Sequence, residues 1–272
     1  MIKFVAEIGI NHNGSVEMAK ELIDVSEKAG CDYVKLQKRT PNVCVPAEQK
    51  SVQKVTPWGN MTYVEYKEKI EFNQKEYDEL YGYVANKPII LFASVWDKYS
   101  VDFMRQYEVP IKIPSAMIND LSLCSYARES ANQLIISTGM STEAEIDACV
   151  NACSPDVIMH TNSTYPSPVE ELNLNYILWL REKYPSTEIG YSGHELGIAT
   201  TIAAAVMGCT WIERHISLDT SLWGSDQSAS LTPDKLQELT HSLRDITSAL
   251  GQGGPRVCLP SEMEKRRTLR KH

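Results

Sequence analysis

Ile2-Lys3-Phe4-Val5-Ala6-Glu7, Asp32-Tyr33-Val34-Lys35-Leu36-Gln37 and Pro110-Ile111-Lys112-Ile113-Pro114-Ser115 share one pattern, an apolar strand-like run ending in charge or hydrogen-bonding groups. Side chains alternate between the two faces of a strand, so Val5 falls with Glu7, Tyr33 with Lys35 and Gln37, and Phe92 with Ser94. The opposite faces carry Val34 and Leu36, or Ile111 and Ile113. Two later segments repeat the pattern: Glu188 to His194 aligns Ser192 with His194, and Trp211 to His215 aligns Glu213 with His215. One face can meet a layer of helices, while the other turns polar only at its last positions. Such charges are costly to bury, and their collection at strand ends is the mark of an active-site rim.

Working outward, strands are expected near 2–8, 32–37, 88–94, 109–114, 133–138, 155–161, 187–192 and 210–216. Between them, amphipathic segments predict helices over 15–29, 74–86, 98–107, 120–130, 142–152, 171–183, 196–207 and 232–250. Ser15 and Thr142 are suited to N-cap positions, and Ser141-Thr142-Glu143-Ala144-Glu145 has the form of a capping box. Eight alternations favour an α/β fold of the (β/α)8 TIM-barrel type over an open doubly wound sheet. Lys38 to Asn73 is too long for an ordinary βα loop, and Pro41, Pro46, Pro57 and Gly59 exclude one continuous helix. Excursions of this kind often cover an active site.

The composition fits this architecture. A chain of 272 residues, 43% hydrophobic and 23% charged, can bury one large core, and barrels commonly reach about 250 residues as one domain. We expect a catalytic barrel over 1–255 and a basic tail or linker over 256–272, since Ser261 to His272 holds five Lys or Arg against two Glu. The net charge of −8 argues against general nucleic-acid binding, so an anionic ligand would need a local cationic pocket. No apolar run of about 18 residues occurs, and the first residues enter a strand rather than a leader. The expectation is a soluble, cytoplasmic protein with no membrane partner. Seven cysteines without a C-x-x-C pair suit a reducing compartment, and Cys149 and Cys153, one turn apart, read as packing residues.

Lys35 and Lys112 are expected to approach one another across the barrel mouth, beside Gln37, Ser94 and Ser115. Two ammonium groups with hydroxyl and amide donors suit a small ligand carrying phosphate and carboxylate. Against this stands the plain structural alternative, in which each lysine lies along its stem or pairs with Glu7 or Glu213. A desolvated lysine beside another cation could also form a Schiff base, which keeps a barrel aldolase in view. Ser137-Thr138-Gly139-Met140-Ser141-Thr142 follows a strand and precedes a helix; its backbone N–H groups could receive an anion, or the turn could serve only as a cap. His194 and His215 end neighbouring strands, where two imidazoles could hold a divalent metal and leave positions open for water and substrate. Glu213 could orient a histidine or pair with Lys35. Ile10-Asn11-His12-Asn13 holds one histidine, so it lacks the His-x-His of the barrel hydrolases, and His12 is assigned to the first loop with Asn11 and Gly14.

In order and spacing, Glu7-Ile8-Gly9-Ile10-Asn11-His12-Asn13-Gly14, Lys35-Leu36-Gln37, Lys112-Ile113-Pro114-Ser115, Ser137-Thr138-Gly139-Met140, Tyr165-Pro166, Ser192-Gly193-His194 and Glu213-Arg214-His215 closely resemble the N-acetylneuraminate (sialic acid) synthase family. The resemblance spans nearly the whole chain. It implies condensation of phosphoenolpyruvate with an open-chain N-acylated hexosamine, typically N-acetylmannosamine, to a nine-carbon 2-keto acid and phosphate, with no lysine Schiff base. By the same resemblance Lys35, Ser94, Lys112, Ser115, Ser137, Ser163 and Ser192 would hold phosphoenolpyruvate. His194 and His215 would hold Mn²⁺, or Mg²⁺ or Co²⁺, to polarise the sugar aldehyde. Glu7, Gln37, Tyr165 and Asp226 would contact the sugar, Glu7 being the preferred acid/base.

The chain also departs from the family. Many members carry a glutamate two residues after the serine matching Ser115, where this chain has Met117. The asparagine often found before the Tyr-Pro pair is Ser163, which retains a hydrogen-bonding group. Members usually continue into a small antifreeze-like domain that supplies an arginine across a dimer to the acyl group, whereas Arg266 to His272 is the end here. Dimerisation through the barrel is still expected. A keto sugar acid synthase of another kind is the near rival, and a non-catalytic sugar-phosphate sensor the alternative from a different class.

Overall fold

The computed structural model describes residues 2–251 and 253–270, so the last two positions of the expected tail lie outside the described residues. Its strands are β1 (Lys3–Gly9), β2 (Tyr33–Lys38), β3 (Gln53–Thr56), β4 (Gly59–Thr62), β5 (Ile90–Val95), β6 (Ile111–Ile113), β7 (Leu134–Ser137), β8 (Val157–Thr161), β9 (Glu188–Gly193) and β10 (Trp211–His215). Eight of them close a parallel barrel in the order β1, β10, β9, β8, β7, β6, β5, β2, while β3 and β4 form a separate antiparallel hairpin. The architecture is therefore the (β/α)8 barrel, and each expected barrel strand is present with its ends displaced by no more than two residues.

Local chemistry explains where the helices start and stop. The Ser15 hydroxyl accepts from the Met18 N–H to open Val16–Ala29, and Gly30, at φ +84°, closes it. Thr142 and Glu145 form the expected capping box ahead of Glu143–Cys153. The helix expected over 171–183 begins only at Tyr176. Asn173 adopts a left-handed φ of +44°, and the Leu172 carbonyl accepts from His160 Nε2 at 2.7 Å instead of entering a helical ladder. Cys149 and Cys153 are buried beside Cys124, with sulfur separations of 3.6 Å to Cys124 and 3.8 Å within the pair.

The strand periodicity builds two cores. Outward side chains such as Ala6, Ile8, Val34, Leu36, Ile111 and Ile113 pack under the helices. Inward, Val5, Phe92, Ile135, Val157, Met159 and Trp211 plug the lower barrel, joined by Tyr33 and Val109. The next inward positions are the polar ones, so the barrel is oil-filled below and hydrophilic above.

Between β2 and the helix Gln74–Val84, the excursion folds into two one-turn helices, the β3–β4 hairpin and the helix Tyr63–Ile70. It is fastened to the mouth by Ile10, Tyr66 and Ile70 packed with Met61, Tyr63 and Trp223, and by Lys38 Nζ donating to Glu71 and to the Phe72 carbonyl, both at 2.8 Å. Helix Pro260–Leu269 has no buried residue. No helix among the described residues is long and apolar enough to cross a membrane.

His12 sits in the first loop as expected, stacked on Phe72 at 4.0 Å, with Nδ1 accepting from the Gly14 N–H at 3.0 Å. Burial, and then the Arg39 charge, lower its pKa to about 3. The unfolded chain therefore binds a proton below about pH 6.5 that the folded chain refuses, and stability falls with pH through that window at about 1.4 kcal/mol per unit. His12→Gln should remove about 2 kcal/mol of the loss in unfolding free energy between pH 7 and pH 5, measured by urea denaturation at both values.

Candidate active site

Above the apolar plug lies a cavity of about 280 Å³, walled by Glu7, Lys35, Gln37, Ser94, Lys112, Ser115, Ser137, Ser163, Tyr165, Ser192, His194 and His215 together with Glu213. The barrel register assembles it: Glu7 pairs in register with Lys35 on one side and with His215 on the other, Glu213 with Ser192, and Ser94 with Lys112. A bulge between Glu7 and Gly9 re-aims the end of β1. Gly9 has φ +56°, and a Cβ there would press on Gln37, Glu7 and His215 at 3.2–3.3 Å, so a larger residue would disturb all three.

The two lysines do converge, bridged by carboxylates. Lys35 Nζ lies 2.6 Å from Glu7 and 3.8 Å from Glu213, while Lys112 Nζ donates to Glu213 Oε1 at 2.7 Å. Of the pairings the sequence left open, Lys112 takes Glu213 at the shorter distance and Lys35 takes Glu7. Ser192 Oγ donates to the same carboxylate at 3.0 Å. Burial raises the Glu7 pKa to about 7, with Glu213 adding to it and Lys35 opposing it. Burial would raise Glu213 too, but Lys112 and Lys35 outweigh it and hold that carboxyl ionised, at about 2. Two carboxylates in one cavity are thus set far apart in acidity, the arrangement that separates a proton carrier from a fixed charge.

His194 and His215 have ring centroids 5.3 Å apart, with Tyr165 against both. His194 Nδ1 sits 2.6 Å from the Asn162 carbonyl and must donate to it, so Nε2 keeps its lone pair. His215 Nδ1 is buried without a hydrogen-bond partner, 4.0 Å from Asp226. Burial lowers both pKa values, to about 3 for His194, where His215 adds to the fall, and to about 4 for His215, where Asp226 opposes it and Lys35 adds to it. Both rings are neutral at physiological pH, the form that ligates metals. Among the described residues no group of three or more His, Cys, Asp or Glu side chains is arranged for a metal. The pair fits an ion completed by water and substrate.

Both histidine segments are tied from behind. Arg214, which points outward between Glu213 and His215, is fully buried against Glu195, with Nη1 3.3 Å from Oε1. Its guanidinium also donates to the Glu195 carbonyl at 2.5 Å and the Gly197 carbonyl at 2.8 Å. Tyr191, Thr200 and Thr201 donate to the Glu195 carboxylate.

Two expected residues lie off the cavity wall. Gly139 is behind it, its N–H donating to Ser115 Oγ at 3.1 Å; a Cβ there would collide with the Ser163 and Ser115 hydroxyls. The helix that follows opens at Glu143, behind the Thr142–Glu145 capping box. Asp226 lines an adjoining recess instead. Met117 packs against the outer core rather than lining the cavity. The sequence reading missed Trp96 and Thr161, although each continues the inward period of its strand, from Ser94 and Met159. Beside His215 Nδ1, buried polar atoms of Ser137, Glu213 and Trp96 also lack partners, so unused hydrogen-bonding capacity converges on this cavity.

The NeuB family model matches residues 22–254. The N-acetylneuraminate-9-phosphate synthase of Mus musculus is 35% identical over 266 residues, spanning 95% of this chain and 74% of that protein. The N,N'-diacetyllegionaminic acid synthase of Campylobacter jejuni is 31% identical over 259 residues, 92% of this chain and 77% of that one. The N-acetylneuraminic acid (sialic acid) synthetase of Leptospira borgpetersenii, solved in complex with citrate, superimposes with a TM-score of 0.87 at 28% identity, covering 98% of this chain and 90% of its own. The family model, the identity carried along almost the entire length and the shared barrel agree with the motifs that line the cavity: the chain belongs to the NeuB family.

Proposed function

We propose that the protein condenses phosphoenolpyruvate with an open-chain N-acyl hexosamine, N-acetylmannosamine or a relative, to a nine-carbon 2-keto acid and phosphate. The observation that carries this reading is the pairing of two buried ammonium groups with two carboxylates of opposed acidity in one cavity lined by serines. Lys35, Lys112 and the hydroxyls of Ser94, Ser115, Ser137, Ser163 and Ser192 take the phosphate and carboxylate of phosphoenolpyruvate. Glu213, held ionised, keeps both lysines charged.

The C3–C bond forms as the enol attacks the sugar aldehyde, and Glu7, protonated near neutrality, gives its proton to the oxygen that becomes an alkoxide. As a carboxylate it then removes a proton from the water adding at C2; the C2–O bond to phosphate breaks as the new C2 hydroxyl becomes the ketone and its proton passes to the leaving phosphate. Gln37 and Tyr165 orient the sugar beside Glu7, with Asp226 at the outer edge. A divalent metal held by His194 and His215, Mn²⁺ before Mg²⁺ or Co²⁺, would supply Lewis acidity at the aldehyde oxygen. A Schiff-base aldolase fits less well, because both lysines are ion-paired.

The test is phosphate release from phosphoenolpyruvate by chelator-stripped protein, with and without Mn²⁺ and N-acyl hexosamines, with product mass read in parallel. Release that needs both additions and yields a nine-carbon keto acid supports the reading; borohydride trapping of a substrate on a lysine overturns it. Lys112→Met should lower kcat/KM for phosphoenolpyruvate by about 100-fold, mostly through KM, since a charged contact to the bound anion is lost. Unchanged saturation by phosphoenolpyruvate would remove Lys112 from that role.

A further inference from the structure

Next to the main cavity is a second recess of about 260 Å³ that shares Gln37, Trp96 and Tyr165 with it. Its other walls come largely from the excursion and include Arg39, Tyr63 and Lys67, with Asp226 contributed by the chain after β10. Asp226 lies 4.0 Å from His215, which marks the end of the recess nearest the histidines. Lys67 is only 8% exposed, and among the described residues its ammonium has no ion-pair or hydrogen-bond partner, resting by the rings of Tyr63 and Tyr66 at 5.3 and 5.1 Å. The nearby Glu71 carboxylate is already taken by Lys38 at 2.8 Å and by Arg39 Nε at 3.7 Å. Arg39 also donates to Gln37 and stacks over Trp96 at 4.6 Å. Lys54 adds a third cation 5.3 Å from the Tyr66 ring. Burial and the Arg39 charge, opposed by the Asp226 carboxylate, lower the Lys67 pKa to about 7.

An ammonium buried with no carboxylate in contact, beside a guanidinium and in a chain of net charge −8, is expensive unless an anion arrives to join it. We propose that this recess takes a phosphate carried on the terminal carbon of the acceptor sugar, with Lys67 and Arg39 as its ligands. The inference rests on the main cavity being the condensation site. The aldehyde end of the acceptor then lies by Glu7 and the histidines, its chain passes between Gln37, Trp96 and Tyr165, and its phosphate neutralises the cations beyond. Asp226, the one acid on the wall, is left to face the hydroxyls of the sugar near His215.

The experiment compares N-acetylmannosamine 6-phosphate with N-acetylmannosamine, first by calorimetric binding to the full chain without phosphoenolpyruvate and then in turnover. The expected result is binding of the phosphorylated sugar at least about 10-fold tighter, a difference that Lys67→Met abolishes and Lys67→Arg largely retains. In turnover, Lys67→Met should raise KM for the phosphorylated acceptor by about 10- to 100-fold and leave KM for phosphoenolpyruvate unchanged. Equal binding of the two sugars, or an equal loss on both in Lys67→Met, overturns the inference while leaving the condensation intact. Selective, Lys67-dependent binding without any release of phosphate from phosphoenolpyruvate would support the phosphate seat and sink the proposed reaction instead.

Discussion

His215→Ala protein, stripped with chelator and resupplied with Mn²⁺, should release phosphate from phosphoenolpyruvate about 10³-fold more slowly than the parent chain or not at all. Its thermal midpoint should stay within a few degrees. The asymmetry follows from the environment of the ring. His215 Nδ1 has no hydrogen-bond partner, so truncation forfeits no internal hydrogen bond, and the ring packs at the cavity mouth, against Tyr165 and His194. Activity equal to the parent, with and without added Mn²⁺, would take His215 out of the reaction. Loss of folding rather than of turnover would show that the ring is structural.

Arg214→Met should have the opposite profile, a loss of about 3–5 kcal/mol in unfolding free energy, because a buried carboxylate is left without its counter-charge. Glu195 is fully buried at the centre of a network in which Tyr191, Thr200, Thr201 and Arg214 all point at it. Removing the guanidinium also frees the Glu195 and Gly197 carbonyls. Urea denaturation measures the loss, and the double variant Arg214→Met, Glu195→Leu should recover part of it, since replacing both members by apolar groups spares the uncompensated charge. An Arg214→Met protein as stable as the parent would mean that the pair contributes nothing net.

The barrel was legible because a strand's period of two is rigid: Val5 and Glu7, Phe92 and Ser94, or Glu213 and His215 must share a face, and apolar residues below polar ones can only be a plug under a rim. The same rule placed most of the site. It was silent on partners, which depend on how strands stagger around the barrel. Lys112 therefore takes Glu213, while Lys35 takes Glu7. The excursion was recognisable by length and prolines, but the β3–β4 hairpin was not, because Gln53-Lys54-Val55-Thr56 buries only Thr56 and carries no apolar alternation. The helix start at Tyr176 was hidden for a different reason, since it turns on a left-handed asparagine and a long-range bond to His160.

β10 runs Trp211-Ile212-Glu213-Arg214-His215, and every one of these side chains is buried. Glu213 and His215 face the cavity, whereas Ile212 and Arg214 face the layer of helices. In a saturation library scored only by growth or product, all five positions would register as intolerant, and the profile would look uniform. Scored for protein abundance as well, it should split, Trp211, Ile212 and Arg214 variants vanishing from the soluble fraction while His215 variants accumulate as inert protein. Intolerance along this strand is thus a poor guide to chemistry until the two readouts are separated.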